Sequence, residues 1–115
     1  MTTQQYKYIK GVEVLSKEHM PSATELANYY GLLTMNGKPN AALVAQVIAD
    51  SFLHFGAHVD SYYYVHSHGA MKVYPKSQYE YPLDCFVESL KDGQEDNYIP
   101  QAPGKRIIKF KYKKP

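Results

Sequence analysis

The feature that most constrains the fold of this chain is a long apolar segment near its middle, AALVAQVIADSFLHF at residues 41–55. Its polar residues Gln46, Asp50 and His54 recur every four positions and therefore form one narrow stripe on a helix. Nearly all the other side chains are apolar or small. A helix that is apolar over most of its circumference packs in the middle of a domain, so we expect this segment to be the central helix.

The length and composition predict a single domain. A chain of 115 residues can enclose one core, and 44% hydrophobic with 21% charged residues is typical of a folded chain. No apolar run approaches the roughly 18 residues that span a bilayer, so no membrane partner is expected. The single cysteine, Cys85, excludes an internal disulfide and favours a cytoplasmic location. No cofactor is predicted.

A second helix is predicted before the central one. Ser22 and Glu25 have the spacing of a capping box, and Gly31 follows as a C-terminal glycine would, so residues 23–30 are expected to be helical. The segment LTMNGKPN after it is rich in turn residues, and its last residue, Asn40, is a suitable N-cap for the central helix.

The last third of the chain predicts a helix, a loop and a strand. Pro82 is expected to start the third helix, whose apolar residues recur at the spacing of one buried face: Leu83, Phe86, Val87 and Leu90. Residues 92–104 are polar with two prolines and predict a flexible loop. In residues 105–115 apolar residues alternate with lysines, which indicates a strand with one basic face.

The stretch SYYYVHSHGAMKVYP is typical of a β-hairpin, with β-rich runs at 62–66 and 71–74 and a turn between them. Tyrosine falls on both faces of its first strand, and a strand cannot bury every such hydroxyl without partners. The segment QYKYIKGVEVL at residues 5–15 is interpreted as another strand, with a helix as the alternative. We therefore expect an α+β domain over residues 1–115, with about three helices, the hairpin and a small antiparallel sheet that includes one or both terminal strands.

The order of a short capped helix, a turn, a long helix and a hairpin resembles the winged helix-turn-helix class over residues 12–75. That resemblance implies DNA binding through the long helix and the hairpin. Residues 39–71, however, contain no lysine or arginine, and phosphate contacts need positive charge. A winged-helix fold used for packing or dimerisation fits these residues better.

Basic and aromatic residues alternate near both ends of the chain, in YKYIK and in KRIIKFKYKK, and six of the 13 lysines and arginines lie in the last 11 positions. If the two terminal strands pair, their lysines share one surface with tyrosines, as nucleic-acid binding requires. The predicted contact residues are Lys7, Lys72, Lys109, Lys111, Lys113, Tyr63 and Tyr64. The alternative is a solvated edge strand whose lysines prevent aggregation.

These patterns favour a small non-enzymatic accessory or regulatory protein that binds nucleic acid. The main alternative is a protein-binding module, such as an inhibitor or adaptor of the phage or plasmid accessory type. Its contact residues would be Tyr62, Tyr63 and Tyr64, because tyrosine is enriched at interfaces. A homodimer is compatible with either function.

A metal-dependent hydrolase is the minor alternative. HSHGAMKVYPKSQYE resembles the zinc signature of JAMM metalloproteases, which implies His66, His68 and Glu80 as ligands and Ser77 as the signature serine. The two histidines also resemble the paired histidines of HUH endonucleases. Gly69 replaces the proline of the first signature, and a serine replaces the hydrophobic residue of the second. No catalytic residue or metal ligand is therefore assigned. A nucleophilic cysteine would need a histidine brought to it by the fold.

Overall fold

The computed structural model describes residues 5–9, 12–16, 20–55, 60–66 and 69–115. The elements in chain order are β1 (Gln5–Ile9), β2 (Val12–Ser16), α1 (Ala23–Tyr30), β3 (Leu32–Leu33), α2 (Ala41–Phe55), β4 (Ser61–His66), β5 (Gly69–Val73), α3 (Lys76–Glu88), β6 (Glu95–Tyr98) and β7 (Ile108–Tyr112). Three helices with two antiparallel sheets confirm the α+β prediction.

The predicted caps of α1 and α2 are present. Ser22 accepts a hydrogen bond from the Glu25 backbone N–H at 3.2 Å, and the Glu25 carboxylate accepts one from the Ser22 N–H at 3.1 Å. Gly31 ends α1 with φ 72°, in the left-handed region that favours glycine. At the start of α2 the Asn40 side chain accepts from the Leu43 N–H at 3.1 Å. Local sequence therefore determines where these two helices start and where α1 ends.

The core lies around α2, as its apolar circumference predicts, and α1, α3 and β7 all pack against this helix. The buried cluster comprises Leu26, Ala27, Tyr30, Leu32, Leu43, Val44, Val47, Ile48, Tyr74, Leu83, Phe110 and Tyr112. Most of it comes from α1, α2 and β7, so the helices and the C-terminal strand form one hydrophobic unit.

The third helix starts earlier than predicted. α3 begins at Lys76, and Pro82 lies inside it and is buried. The Pro75 carbonyl accepts from the Gln78 N–H at 2.9 Å, and Lys76 pairs with Glu80 at 3.2 Å one turn later. These contacts stabilise a first turn that is largely polar, so hydrophobic spacing did not reveal it.

The hairpin of β4 and β5 belongs to a four-stranded sheet of order β2-β1-β4-β5. The N-terminal segment is two strands rather than the single strand expected, and β1 pairs with both β2 and β4. His66 pairs with Gly69, so the strands run closer to the turn than predicted, and residues 67–68 lie outside the described residues. The element order of the winged-helix resemblance is present, but its hairpin is the edge of this sheet rather than a separate wing.

The second sheet has the order β3-β7-β6. β6 falls within residues 92–104, which were wrongly predicted to be a flexible loop: it pairs with β7 from Glu95↔Lys111 to Tyr98↔Ile108. The condition for one shared lysine surface is not met: the two terminal strands do not pair, because β1 lies in the first sheet and β7 in the second. The pairing of β7 with a strand of only two residues, β3, could not be inferred from alternation.

The two sheets are attached to opposite ends of α1. Ser22, the N-cap of α1, forms a bridge with Val73 of β5, whereas Leu32, just after its C-cap, pairs with Tyr112 of β7. Eight helical residues span roughly 12 Å. The tyrosine-rich hairpin and the lysine-rich strand are therefore separate surfaces.

Candidate nucleic-acid interface

β7 has one face in the core and one face towards solvent. Phe110 and Tyr112 are 2% and 5% exposed and belong to the core cluster, with Ile108 packed against them. Lys109 is exposed between them, and Lys111 is half-buried. Because side chains alternate along a strand, the lysines share the outer face, about 6.6 Å apart.

This outer face is bordered by two neighbouring grooves. The larger, about 490 Å³, is lined by Lys111 and Lys113 and is walled by residues 35–37 and 92–93. The smaller, about 270 Å³, is lined by Lys109, β6 residues and Met35. Met35 borders both grooves, so the grooves that the three predicted lysines line are neighbours.

Asn40 fixes this surface to the rest of the fold. Its side chain is 5% exposed, and its Nδ2 donates to the Lys109 carbonyl at 3.2 Å while its Oδ1 caps α2. At the other end of β7, the Lys113 N–H donates to the Gly31 carbonyl at 2.9 Å. The lysine-bearing strand is thus hydrogen-bonded to the rest of the fold near both of its ends.

Carboxylates also lie near the lysines. Glu95 is in register with Lys111 on the neighbouring strand, and Asp92 accepts from the Lys114 backbone N–H at 2.9 Å. The last 11 residues themselves carry six cations and no carboxylate. The surface is therefore basic along β7 and acidic along its β6 border. The sequence did not reveal this uneven distribution of charge.

The other predicted contact residues lie in the first sheet. Lys7 is in register with Tyr62, and Lys72 with Tyr63, the next position of β4. The Lys72 ammonium lies 5.5 Å from the centre of the Tyr74 ring. Tyr64 is half-buried, as are the other two tyrosines of β4. The predicted surface is therefore split, and the role of these first-sheet residues stays a prediction.

Tyr74 anchors this hairpin to the helices. It is 5% exposed, and burial, followed by the neighbouring Tyr63, raises the pKa of its phenol. Its backbone N–H donates to the Pro21 carbonyl at 2.9 Å. The ring beside Lys72 is thus part of the core and cannot stack on a ligand.

The residues of the metal alternative are only partly described. The side chain of His66 and all of His68 lie outside the described residues. Glu80 is described, and its carboxylate contacts Lys76 at 3.2 Å. In the described part of the chain, no group of three or more His, Cys, Asp or Glu side chains could hold a metal ion.

The residue that sequence analysis misinterpreted most is Asp50. Its position in the polar stripe predicted solvent exposure, yet it is 2% exposed. It accepts hydrogen bonds from the Tyr98 hydroxyl at 2.5 Å, the Gln101 N–H at 3.1 Å and the Gln46 side chain at 2.8 Å. Burial and the bond to Asp50 raise the pKa of Tyr98. Asp50 thus fastens the end of β6 to α2.

Beside Asp50, an open cleft of about 370 Å³ lies between α2 and α3. His54 and the exposed Cys85 both line it, together with Tyr81. The hydrogen bond that Tyr81 shares with Cys85 raises the pKa of the Tyr81 phenol. Cys85 is therefore not the small buried hydrophobe that free cysteines usually are, and His54 is the histidine that the fold brings to the same cleft.

Comparisons with known proteins add no function. No protein-family model, curated protein or solved structure matches this chain. Within the described residues, none of the helices is both long and apolar enough to cross a membrane.

Proposed function

We propose that this chain is a small, non-enzymatic accessory or regulatory protein that binds nucleic acid through the outer face of β7. One observation carries the proposal: Lys109, Lys111 and Lys113 line adjoining grooves on one face of a strand whose other face is in the core. The strand backbone is hydrogen-bonded to the rest of the fold at Lys109 and Lys113, so the points from which the lysine side chains extend are fixed.

The charge distribution supports a phosphate ligand. Lysines that contact phosphates release condensed counterions, and this release supplies most of the sequence-independent affinity for nucleic acid. The formal net charge is only +2, but six cations are concentrated in the last 11 residues. A concentrated positive surface on a nearly neutral protein favours local contact with a polyanion over general attraction.

The test is binding of a fluorescent mixed-sequence nucleic acid, measured by anisotropy at low salt. The chain should bind, and the triple variant Lys109→Gln, Lys111→Gln and Lys113→Gln should lose binding while keeping its circular dichroism spectrum. The matched comparison is Lys111→Gln against Lys76→Gln, since both remove one charge and Lys76 lies on α3. If neither DNA nor RNA binds at low salt, the proposal is wrong.

A protein-binding role is the second candidate, and one observation favours it. The outer edge of β5 is bridged at Val73 by Ser22, while Gly69 to Lys72 are exposed along the same edge. An exposed edge can accept a strand from a partner. This role predicts that substitution of Tyr62, Tyr63 and Tyr64 abolishes capture of a partner protein without changing the fold, whereas the β7 lysine variants leave capture intact.

A further inference from the structure

The outer face of β7 presents positive charge without an accessible aromatic ring. Phe110 and Tyr112 alternate with its lysines and are only 2% and 5% exposed. Tyr112 lines the larger groove, but only this small exposed fraction of its surface is accessible there. The most exposed described tyrosines, Tyr29 and Tyr81, lie on α1 and α3, outside both grooves. The aromatic residues of β4 lie in the other sheet, at the far end of α1.

We infer that the β7 surface binds the phosphodiester backbone of a nucleic-acid duplex and does not stack on bases, an inference that rests on the proposed function. Lys109, Lys111 and Lys113 are the phosphate contacts, whereas Asp92, Glu95 and Asp96, which line the same two grooves, repel the phosphates and limit the affinity. Recognition is independent of base sequence, because no described side chain on this face offers a ring to an unpaired base.

Two magnitudes decide between duplex and single strand. Stacking a base on an aromatic side chain contributes about 1–3 kcal/mol per base and would favour single strands. Without stacking, electrostatics decides, and a duplex carries one charge per roughly 1.7 Å of axis against roughly 3.4 Å for one of its strands. Each neutralised phosphate also contributes a salt slope of about 0.9 on a duplex and about 0.7 on a single strand. A ring-free lysine surface therefore selects the duplex.

The expected salt dependence follows from the number of lysines. Three phosphate contacts give a slope of about −2.7 for log K against log salt, which is a loss of about 40-fold between roughly 50 mM and 200 mM salt. Each single variant, Lys109→Gln, Lys111→Gln or Lys113→Gln, should make the slope less steep by about 0.9. Lys76→Gln, which removes the same charge from α3, should leave the slope unchanged.

The experiment measures anisotropy for a short duplex, for each of its separated strands, and for a duplex of scrambled sequence. The inference predicts that both duplexes bind equally and more tightly than either strand. It is overturned if the single strands bind as tightly as the duplex or more so. If Tyr63→Leu weakens such single-strand binding, the single strand contacts the first sheet. In that case the inference about β7 fails, but the proposed nucleic-acid binding does not. Failure of every probe to bind at low salt would instead reject the proposed function.

Discussion

The hydrogen bond between Tyr98 and Asp50 should stabilise the fold more than a chemically identical bond elsewhere in the same molecule. The Tyr98 hydroxyl donates to Asp50, which is 2% exposed, at 2.5 Å. The Tyr30 hydroxyl donates to Asp84, which is exposed, at 2.9 Å. Substitution by phenylalanine removes the same hydroxyl from a carboxylate in both cases, so the two variants differ mainly in the burial of the acceptor.

The burial of the accepting carboxylate determines how much free energy of unfolding each substitution is expected to remove. A hydrogen bond to a charged group contributes about 1.5–3 kcal/mol, and a buried group that loses its partner also bears its desolvation cost. In Tyr98→Phe the carboxylate of Asp50 keeps the Gln101 N–H and the Gln46 amide, so we expect a loss of about 2 kcal/mol. In Tyr30→Phe water can hydrate Asp84, and the loss should be about 0.5–1 kcal/mol.

Urea unfolding followed by circular dichroism measures both losses. The two variants should unfold with the same dependence on urea as the parent, and the midpoint of Tyr98→Phe should be the lower. Equal destabilisation, or a greater loss for Tyr30→Phe, would refute the argument that the buried carboxylate fastens β6 to α2. Asp50→Asn, which keeps the shape but removes the charge, should destabilise at least as much as Tyr98→Phe because the donors at that site lose a charged acceptor.

Further predictions concern the C-cap of α1 and the response to alkali. A Cβ added at Gly31 would lie 1.8 Å from the Lys113 carbonyl oxygen. Gly31→Ala should therefore lower the free energy of unfolding by about 2–4 kcal/mol. Left-handed strain accounts for about 1–2 kcal/mol of this loss, and the disturbed contact with Lys113 accounts for the rest. Gly37→Ala has a similar φ, 84° against 72°, but meets nothing within 4 Å, so in urea titrations it should show only the strain. Burial and bonds to carboxylates raise the pKa of Tyr30 and Tyr98 above the ordinary 10.0. The contribution of these two tyrosines to stability should therefore be constant below about pH 10 and fall above it, where the unfolded chain ionises first, and replacing both tyrosines by phenylalanine should flatten this fall in pH-dependent unfolding experiments.

Local signals in the sequence predicted the helical part of the fold well. The capping pair Ser22 and Glu25, the left-handed Gly31 and the cap Asn40 each act within a few residues of the helix end they determine. The apolar circumference of α2 predicted its central position because a helix of that kind must be covered on most sides.

Such local signals did not predict the contacts between strands and side chains that lie far apart in the sequence. β6 consists of EDNY, with one residue that favours strands, and it forms because β7 offers a partner edge. Asp50 belongs to a polar stripe by periodicity, yet the stripe is covered at this point by Tyr98 and Gln101, which lie about fifty positions away. The terminal strands share a composition, but β1 pairs with β2 and β4, whereas β7 pairs with β3 and β6.

The alternation along β7 separates what this strand does for the fold from the role that we propose for it in binding. Ile108, Phe110 and Tyr112 pack in or against the core, whereas the lysines between them contact solvent and the grooves. Replacing a lysine by glutamine therefore changes the ligand surface while leaving the core untouched, so a loss of binding in those variants reports on charge. The same logic explains why a stacking surface is absent here: this strand cannot offer its aromatic rings to a base and also use them to cover α2. Under the proposed function, stacking on a base would therefore involve aromatic residues outside β7, and the comparison of duplex with single strands tests for such a second surface.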